Sequence, residues 1–350
     1  MGPNSPWFDT TGCYKKHRTM EKVKNGILED VILIRFSVII LLLLCHSFTI
    51  YGYGWKSPDG IDTFLPYKLI SQIAYAAMLE TFVFISGYVF QSQVINGKLK
   101  GSAVGWISKK AKRLLVPSII FSALWIILFK PFESSTIIDF IKNLSCAHLW
   151  FLPMLFWCFA CGFVIQKKDI CNKKTLFAML ILVFAPRFSF IPLRINPFME
   201  YGFFFVLGMY IFKNREKIGN RLQQGSILAV TSIMFLSTFY LSTIINNHFA
   251  GTLINFVCSL SGLFLIYGLC NRIIDNIKTL PNIITITAKY SFAIYVIHQF
   301  ILFFLYYYTS LPALTGQYIL PWCALIITTF VSYVLSHYIL KTKTGKLLLG

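Results

Sequence analysis

Apolar stretches of about 20 residues recur along the whole chain, and they constrain its fold more than any other feature. A helix of that length crosses the roughly 30 Å hydrocarbon core of a bilayer. Only 13% of the 350 residues are charged and 56% are hydrophobic, which excludes an ordinary soluble domain. We therefore predict an all-α polytopic membrane protein of about ten helices. The predicted spans are 31–50, 69–90, 114–129, 149–165, 175–191, 198–212, 226–245, 251–270, 290–309 and 318–340.

Basic residues predict the orientation of these helices. The chain has 32 Lys and Arg against 13 Asp and Glu, a net charge of +19. Counted over alternate connections, 25 basic residues fall on one side and six on the other, with Arg35 inside the first span. By the positive-inside rule both termini are expected in the cytoplasm, which requires an even number of crossings. The surplus charge is thus explained by topology, and no nucleic-acid partner is predicted.

The first residues and the cysteines suggest little further organisation. Residues 1–26 are polar and are predicted to form a flexible cytoplasmic tail, followed by a transmembrane domain over 27–350. Met20 offers a shorter start, so residues 1–19 are a candidate misassigned extension. The nine cysteines are scattered, and Cys158 and Cys161 lack a second pair, so neither a disulfide framework nor a metal site is predicted.

Ionisable residues inside apolar helices are costly and suggest function. Arg35 and His46 lie eleven residues apart in the first span, which places them on one face of a helix and about 16 Å apart along its axis. Taken singly, Arg35 could snorkel to headgroups and His46 could form an interhelical hydrogen bond; as a pair they favour a functional site. Glu80, near the middle of the second span, could either orient His46 or pair structurally with another group.

Six stretches, in order along the chain, resemble the motifs of one family. Arg35 and His46 are similar to the R-x10-H motif of the acyltransferase-3 family, integral-membrane O-acyltransferases that acetylate cell-surface and secreted glycans. This family often places an acidic residue and a glycine just before the arginine; here the acidic pair Glu29-Asp30 lies further upstream and the glycine is absent. The other family-like stretches are Phe82-Val83-Phe84-Ile85-Ser86-Gly87-Tyr88, the basic run Lys109–Pro117, His148-Leu149-Trp150-Phe151-Leu152, Phe203-Phe204-Phe205-Val206-Leu207-Gly208, and Ser291–His298.

The resemblance implies transfer of an acyl group, usually acetyl from acetyl-CoA, to a hydroxyl of a glycan or lipid-linked sugar. His46 suits a general base, because its pKa near neutrality allows it to remove a hydroxyl proton. Arg35 suits the CoA phosphates. The catalytic candidates are His46, Arg35 and Glu80. The candidates for binding the donor are Arg35, Lys109, Lys110, Lys112 and Arg113, and those for the acceptor are His148, Trp150, Tyr295 and His298.

Simpler roles remain open for several of these residues. The basic run could instead contact anionic lipid, and His148 with Trp150 could belong to an aromatic belt. Ser86 and Gly87 are predicted to pack helices closely, since no G-x-S-x-G elbow surrounds Ser86. His337 is predicted to snorkel near a helix end.

Two other functional classes fit the composition. A proton-coupled secondary transporter could use intramembrane Arg, His and Glu, and a glycan polymerase or flippase would share the membrane and its basic loops. The sequence shows no repeat symmetry of the transporter kind, and the six ordered stretches favour the acyltransferase. The expected location is the bacterial inner membrane, with lipid as a partner and the oligomeric state open.

Overall fold

A computed structural model describes residues 29–52, 54–97, 102–130, 133–185, 191–245, 247–277 and 279–350. The predicted tail 1–26 and the alternative start at Met20 lie outside these residues. Within them, all regular secondary structure is helical, as predicted. The helices are α1 (Glu29–Ser47), α2 (Leu65–Ile95), α3 (Ala103–Phe129), α4 (Ser134–Asn143), α5 (Phe151–Lys167), α6 (Lys173–Val183), α7 (Ile195–Lys213), α8 (Arg215–Leu222), α9 (Gly225–Ile244), α10 (His248–Asn276), α11 (Asn282–Tyr307), α12 (Leu311–Ile339) and α13 (Lys343–Leu349), with a 3-10 turn at Ala147–Trp150 before α5.

Nine helical segments among the described residues are long and apolar enough to cross a membrane, where ten spans were predicted. The difference is the fifth span, predicted at 175–191. Its helix, α6, is only 11 residues long, or about 16 Å at 1.5 Å per residue. Pro186 explains the early end, because a proline disfavours helical backbone at the residue before it. The helix predicted over 175–191 was therefore too long.

The chain nevertheless crosses the bundle between α5 and α7. Arg194, directly before α7, forms an ion pair of 2.5 Å with Asp139 of α4, and Leu193 accepts a hydrogen bond of 2.9 Å from Trp157. α4 follows the end of α3, whereas α6 follows the end of α5 at the opposite end of the bundle. The segment between α5 and α7, which begins with the short helix α6, therefore makes the tenth crossing.

Two glycines allow α2 and α7 to pack closely at the centre of the bundle. A Cβ added to Gly87 would lie 1.9 Å from the carbonyl oxygen of Phe205, and one added to Gly208 would lie 2.0 Å from that of Phe84. Only glycine permits such an approach of two backbones. The predicted packing role of Gly87 is confirmed, and Gly208 is its partner from another family-like stretch.

The bundle has two ends that differ in chemistry. Arg35 in the first half of α1 and Lys341 just after α12 line the same cavity, so α1 begins and α12 ends at one end of the bundle. This arrangement agrees with the predicted even number of crossings. We call this the basic end, and the opposite end, which contains His46, the histidine end. Large apolar side chains such as Ile233 (66% exposed) and Phe330 (67% exposed) cover the outside, as expected of a surface facing lipid.

Candidate functional site

Three histidines from distant parts of the chain meet near the histidine end. His46 lies in the last turn of α1, His148 in the 3-10 turn and His298 in α11. The ring centroids of His46 and His298 are 5.2 Å apart, and those of His148 and His298 are 5.3 Å apart. We call these three residues the histidine cluster. It joins the predicted base to two predicted acceptor-binding residues.

Backbone carbonyls fix the protonated nitrogen of two rings in the cluster. His148 Nε2 lies 3.0 Å from the carbonyl oxygen of Val296, and His298 Nδ1 lies 2.7 Å from that of Tyr295. A carbonyl oxygen only accepts, so each of these nitrogens donates and the other nitrogen of a neutral ring carries a lone pair. Those other nitrogens, His148 Nδ1 and His298 Nε2, are buried without a hydrogen-bond partner in the described part of the chain. Each is therefore a buried hydrogen-bond acceptor whose bond is not made by the described residues.

His46 has two neighbours that the sequence analysis did not single out. The ring of Trp55 stacks against it, with centroids 6.3 Å apart and planes at 26°. The amide nitrogen of Gln299 lies 3.2 Å from His46 Nε2 and 3.3 Å from Nδ1. Gln299 directly follows the family-like stretch Ser291–His298, and only this position in the sequence could have suggested it as a site residue. Trp55 lies in a loop, and no feature of the sequence suggested it as a site residue.

Tyr295 supports the cluster from the side of the basic end. Its hydroxyl donates a hydrogen bond to the carbonyl oxygen of His148, and its ring lies 5.6 Å from that of His148. Trp150 lies elsewhere: its ring packs against Phe151 at 6.2 Å and Tyr201 at 5.8 Å. Three of the four predicted acceptor residues thus come together around His46, and Trp150 packs outside the cluster.

A cavity of about 660 Å³ opens at the basic end. Arg35 contributes to its wall, as expected for a donor site. The other cationic side chains in the wall are Lys110, Arg113, Lys289, Lys341 and Lys346, and none of the described residues that line it is acidic. We call this the basic cavity. Six cationic groups around one space make it suited to a ligand with several negative charges.

The basic run contributes only one of its faces to this cavity. Lys110 and Arg113, three residues apart on α3, line it, whereas Lys109 and Lys112 are exposed and are not part of its wall. The ammonium of Lys110 lies 3.8 Å from the ring centroid of Phe159, a cation–π contact that orients it. The structure therefore brings two of the four predicted donor-binding residues of this run to the cavity.

His337 and Ser86 also line the basic cavity. His337 Nδ1 lies 3.0 Å from the hydroxyl of Tyr290, so the snorkelling prediction missed its place in the cavity wall. Ser86 bonds to the carbonyl oxygen of Phe82 at 2.9 Å, as a helical serine without a nucleophilic partner would. The sequence analysis counted three further lysines of this wall only towards the orientation of the helices: Lys289, Lys341 and Lys346.

Glu80 lies in a different cavity of about 550 Å³. Its Oε1 accepts a hydrogen bond of 2.8 Å from Ser259 of α10, and Glu200 lines the same space. Two residues along a helix are rotated by about 200°, so Glu80 and Phe82, which faces the basic cavity, point to opposite sides of α2. Of the two alternatives for Glu80, these contacts support a structural pairing and not the orientation of His46.

Metal-ligating side chains are not grouped in the described residues: no three or more His, Cys, Asp or Glu are placed there to hold a metal ion. At the histidine end the described residues offer imidazole, hydroxyl and amide groups. At the basic end they offer guanidinium and ammonium groups with a positive charge. Helix α1 connects the two, since it carries His46 and Arg35.

Comparison with known proteins gives one match. The acyltransferase-3 family model, described as an acyltransferase domain, matches residues 28–340. Searches of curated proteins and of solved structures found no match.

Proposed function

The chain belongs to the acyltransferase-3 family, and from that premise we propose that it transfers acetyl from acetyl-CoA to a hydroxyl of a cell-surface or secreted glycan or of a lipid-linked sugar. Family membership alone makes it a membrane acyltransferase. One observation carries the finer proposal. A single helix, α1, presents Arg35 to a cavity suited to CoA and His46 to a cluster suited to activating a hydroxyl.

The donor binds through its phosphates in the basic cavity. Arg35, Lys110 and Arg113 line that cavity together with three lysines from α11 and the end of the chain described above. Guanidinium groups bind phosphate through paired, charge-assisted hydrogen bonds, and ammonium groups add fixed positive charge. The thioester must then reach His46, about 16 Å from Arg35 along α1. The flexible pantetheine arm spans this distance within the bundle.

His46 acts as the general base. A sugar hydroxyl is a weak nucleophile, so a base must remove its proton as the oxygen attacks the thioester carbonyl. The new carbon–oxygen bond forms, the carbon–sulfur bond breaks, and the departing CoA sulfur takes up a proton. His148 Nδ1 and His298 Nε2, both buried and unpartnered among the described residues, hold further hydroxyls of the acceptor. Tyr295 positions His148 through its backbone carbonyl.

The remaining predicted residues take supporting roles in this proposal. Glu80 joins α2 to α10 through Ser259. Lys109 and Lys112, exposed on the other face of the basic run, contact anionic lipid. With the basic end in the cytoplasm, the histidine end faces outward, as an enzyme of the bacterial inner membrane acting on exported glycans requires.

The test is transfer of labelled acetyl from acetyl-CoA to glycan in membranes that contain the protein. We expect His46→Ala to abolish transfer at normal expression, because it removes the base that takes up the hydroxyl proton. Ile40→Ala, at an exposed position of the same helix, is the control and should retain transfer. Undiminished transfer by His46→Ala would exclude His46 as the base.

Mass spectrometry of surface glycans identifies the acceptor independently. Cells that lack the gene should lose the mass of one acetyl group from a glycan that wild-type cells modify. Glycans identical in both strains would contradict a glycan acceptor, and a difference larger than acetyl would correct the donor.

A further inference from the structure

We propose that Phe82 bounds the acyl group where the basic cavity approaches the histidine cluster and thereby restricts the transferred group to a short acyl chain. This inference rests on the proposed function and specifies its donor. Phe82 belongs to α2, lines the cavity and is partly buried. The sequence analysis noted it only as the first residue of a family-like stretch.

The cavity ends at the same level on three helices. On α2 its lining residues run from Gln93 near the basic end to Phe82, and none of the described lining residues on this helix lies beyond Phe82. On α5 and α11 the last ones towards the histidine end are Leu155 and Phe292. The next turns of α5 and α11 carry Phe151 and Tyr295.

Phe82, Phe151 and Tyr295 form a closed aromatic triangle across this end. The ring centroids of Phe82 and Phe151 are 5.5 Å apart, those of Phe151 and Tyr295 5.5 Å, and those of Phe82 and Tyr295 6.4 Å. Phe151 is 2% exposed and Tyr295 is 4% exposed. We call these three residues the aromatic layer. Behind it lies His148, whose ring is 5.6 Å from that of Tyr295.

The position of the aromatic layer limits the length of the acyl chain. The thioester approaches His46 from the basic cavity with its acyl chain in front, so the acyl chain packs against the aromatic layer on the way. Phe151 and Tyr295 are fixed by burial, and Tyr295 also by its hydrogen bond to the carbonyl of His148. Packed interiors do not accept extra methylenes without displacement of side chains. Acetyl requires little space there, whereas a hexanoyl chain requires Phe82 to leave its place.

A binding experiment tests this without requiring turnover. Purified wild-type protein, Phe82→Ala and Val89→Ala are titrated with two unreactive CoA thioethers, S-ethyl-CoA and S-hexyl-CoA, in competition with labelled acetyl-CoA. Val89 lines the same cavity seven residues nearer the basic end, so it is a matched control for loss of apolar volume. We expect wild type and Val89→Ala to prefer the ethyl thioether, and Phe82→Ala to shift the preference at least tenfold towards the hexyl thioether.

The outcomes are distinct. An unchanged preference in Phe82→Ala, an equal shift in Val89→Ala, or equal binding of both thioethers by wild type would each overturn the assignment. If Phe82→Ala does not fold, judged by its melting temperature in detergent, Phe82→Leu provides the same comparison with a smaller expected shift. Chain-length-selective binding without acetyl transfer would contradict the proposed function and leave only the limit that Phe82 sets on chain length in the cavity, while a wild-type protein that binds neither thioether would overturn both.

Discussion

The side-chain amide of Gln299 holds the imidazole of His46, with its nitrogen 3.2 Å from Nε2 and 3.3 Å from Nδ1. Gln299 is 4% exposed and one residue after His298, so α11 carries both a histidine of the cluster and the amide beside His46, the proposed base. An imidazole free to rotate would present its lone pair in many directions. The amide NH₂ of Gln299 donates to the ring nitrogen that carries the lone pair and so limits the rotation of the ring.

We expect Gln299→Ala to lower kcat for acetyl transfer about tenfold, the effect of losing one hydrogen bond at a reacting group. The KM for acetyl-CoA should stay unchanged, because Gln299 lies outside the basic cavity. Gln299→Met fills a similar volume without an amide and should be as slow as the alanine variant. Wild-type kcat in Gln299→Met would show that only the volume of this side chain matters.

The lining of the basic cavity predicts that the basic residues of the run Lys109–Arg113 differ in their effect on the binding of acetyl-CoA. Arg35→Ala, Lys110→Ala and Arg113→Ala should each raise the KM for acetyl-CoA about tenfold, since each removes one charge-assisted contact to phosphate. Lys109→Ala and Lys112→Ala remove the same charge from exposed positions outside the cavity wall and serve as controls. Initial rates at varied acetyl-CoA concentration measure the effect. Equal changes in both sets would indicate an overall electrostatic effect, and an unchanged KM in Arg35→Ala would remove it from donor binding.

The fold was predictable because a bilayer imposes a minimum length on a helix that crosses it alone. The exception, α6, shows the limit of that argument: it ends at Val183, three residues before Pro186, and is too short to cross by itself, but the chain still has to cross. The shared face of Arg35 and His46 was also predictable, because both lie on one continuous helix, Glu29–Ser47, whose period is known.

The composition of the site was predictable only in part. His148 and His298 were recognisable from their family-like stretches, yet their contact with each other depends on how α11 packs beside the 3-10 turn. Glu80 stood out as a charge in an apolar span, but the rotation of α2 determines its partner, and that rotation places it against Ser259. Lys341 and Lys346 reach the basic cavity only because α12 returns the chain to the basic end.

Substitutions of Glu80 test the orientation of α2, which places Glu80 against Ser259. Glu80→Gln keeps an oxygen that can accept from Ser259, so acetyl transfer should remain close to the wild-type rate. Glu80→Leu leaves the Ser259 hydroxyl without this acceptor and should lower stability by about 1 kcal/mol, read as a lower melting temperature in detergent. Loss of transfer in Glu80→Gln at normal stability would instead restore the catalytic role that the sequence suggested.

The crossing of α2 and α7 predicts a sharp effect of a single methyl group. In Gly87→Ala and Gly208→Ala the new Cβ would lie about 2 Å from a backbone carbonyl oxygen of the other helix, so the two helices must separate. Overpacking of this kind typically costs about 1–3 kcal/mol, and here no flexible side chain can move aside. Gly251→Ala, in α10, is the control, because an added Cβ there meets no atom within 4 Å and alanine favours the helix. Melting temperatures in detergent should fall for the first two variants and hold or rise for the third. Unchanged melting in Gly87→Ala and Gly208→Ala would mean that the two helices do not cross as closely as described.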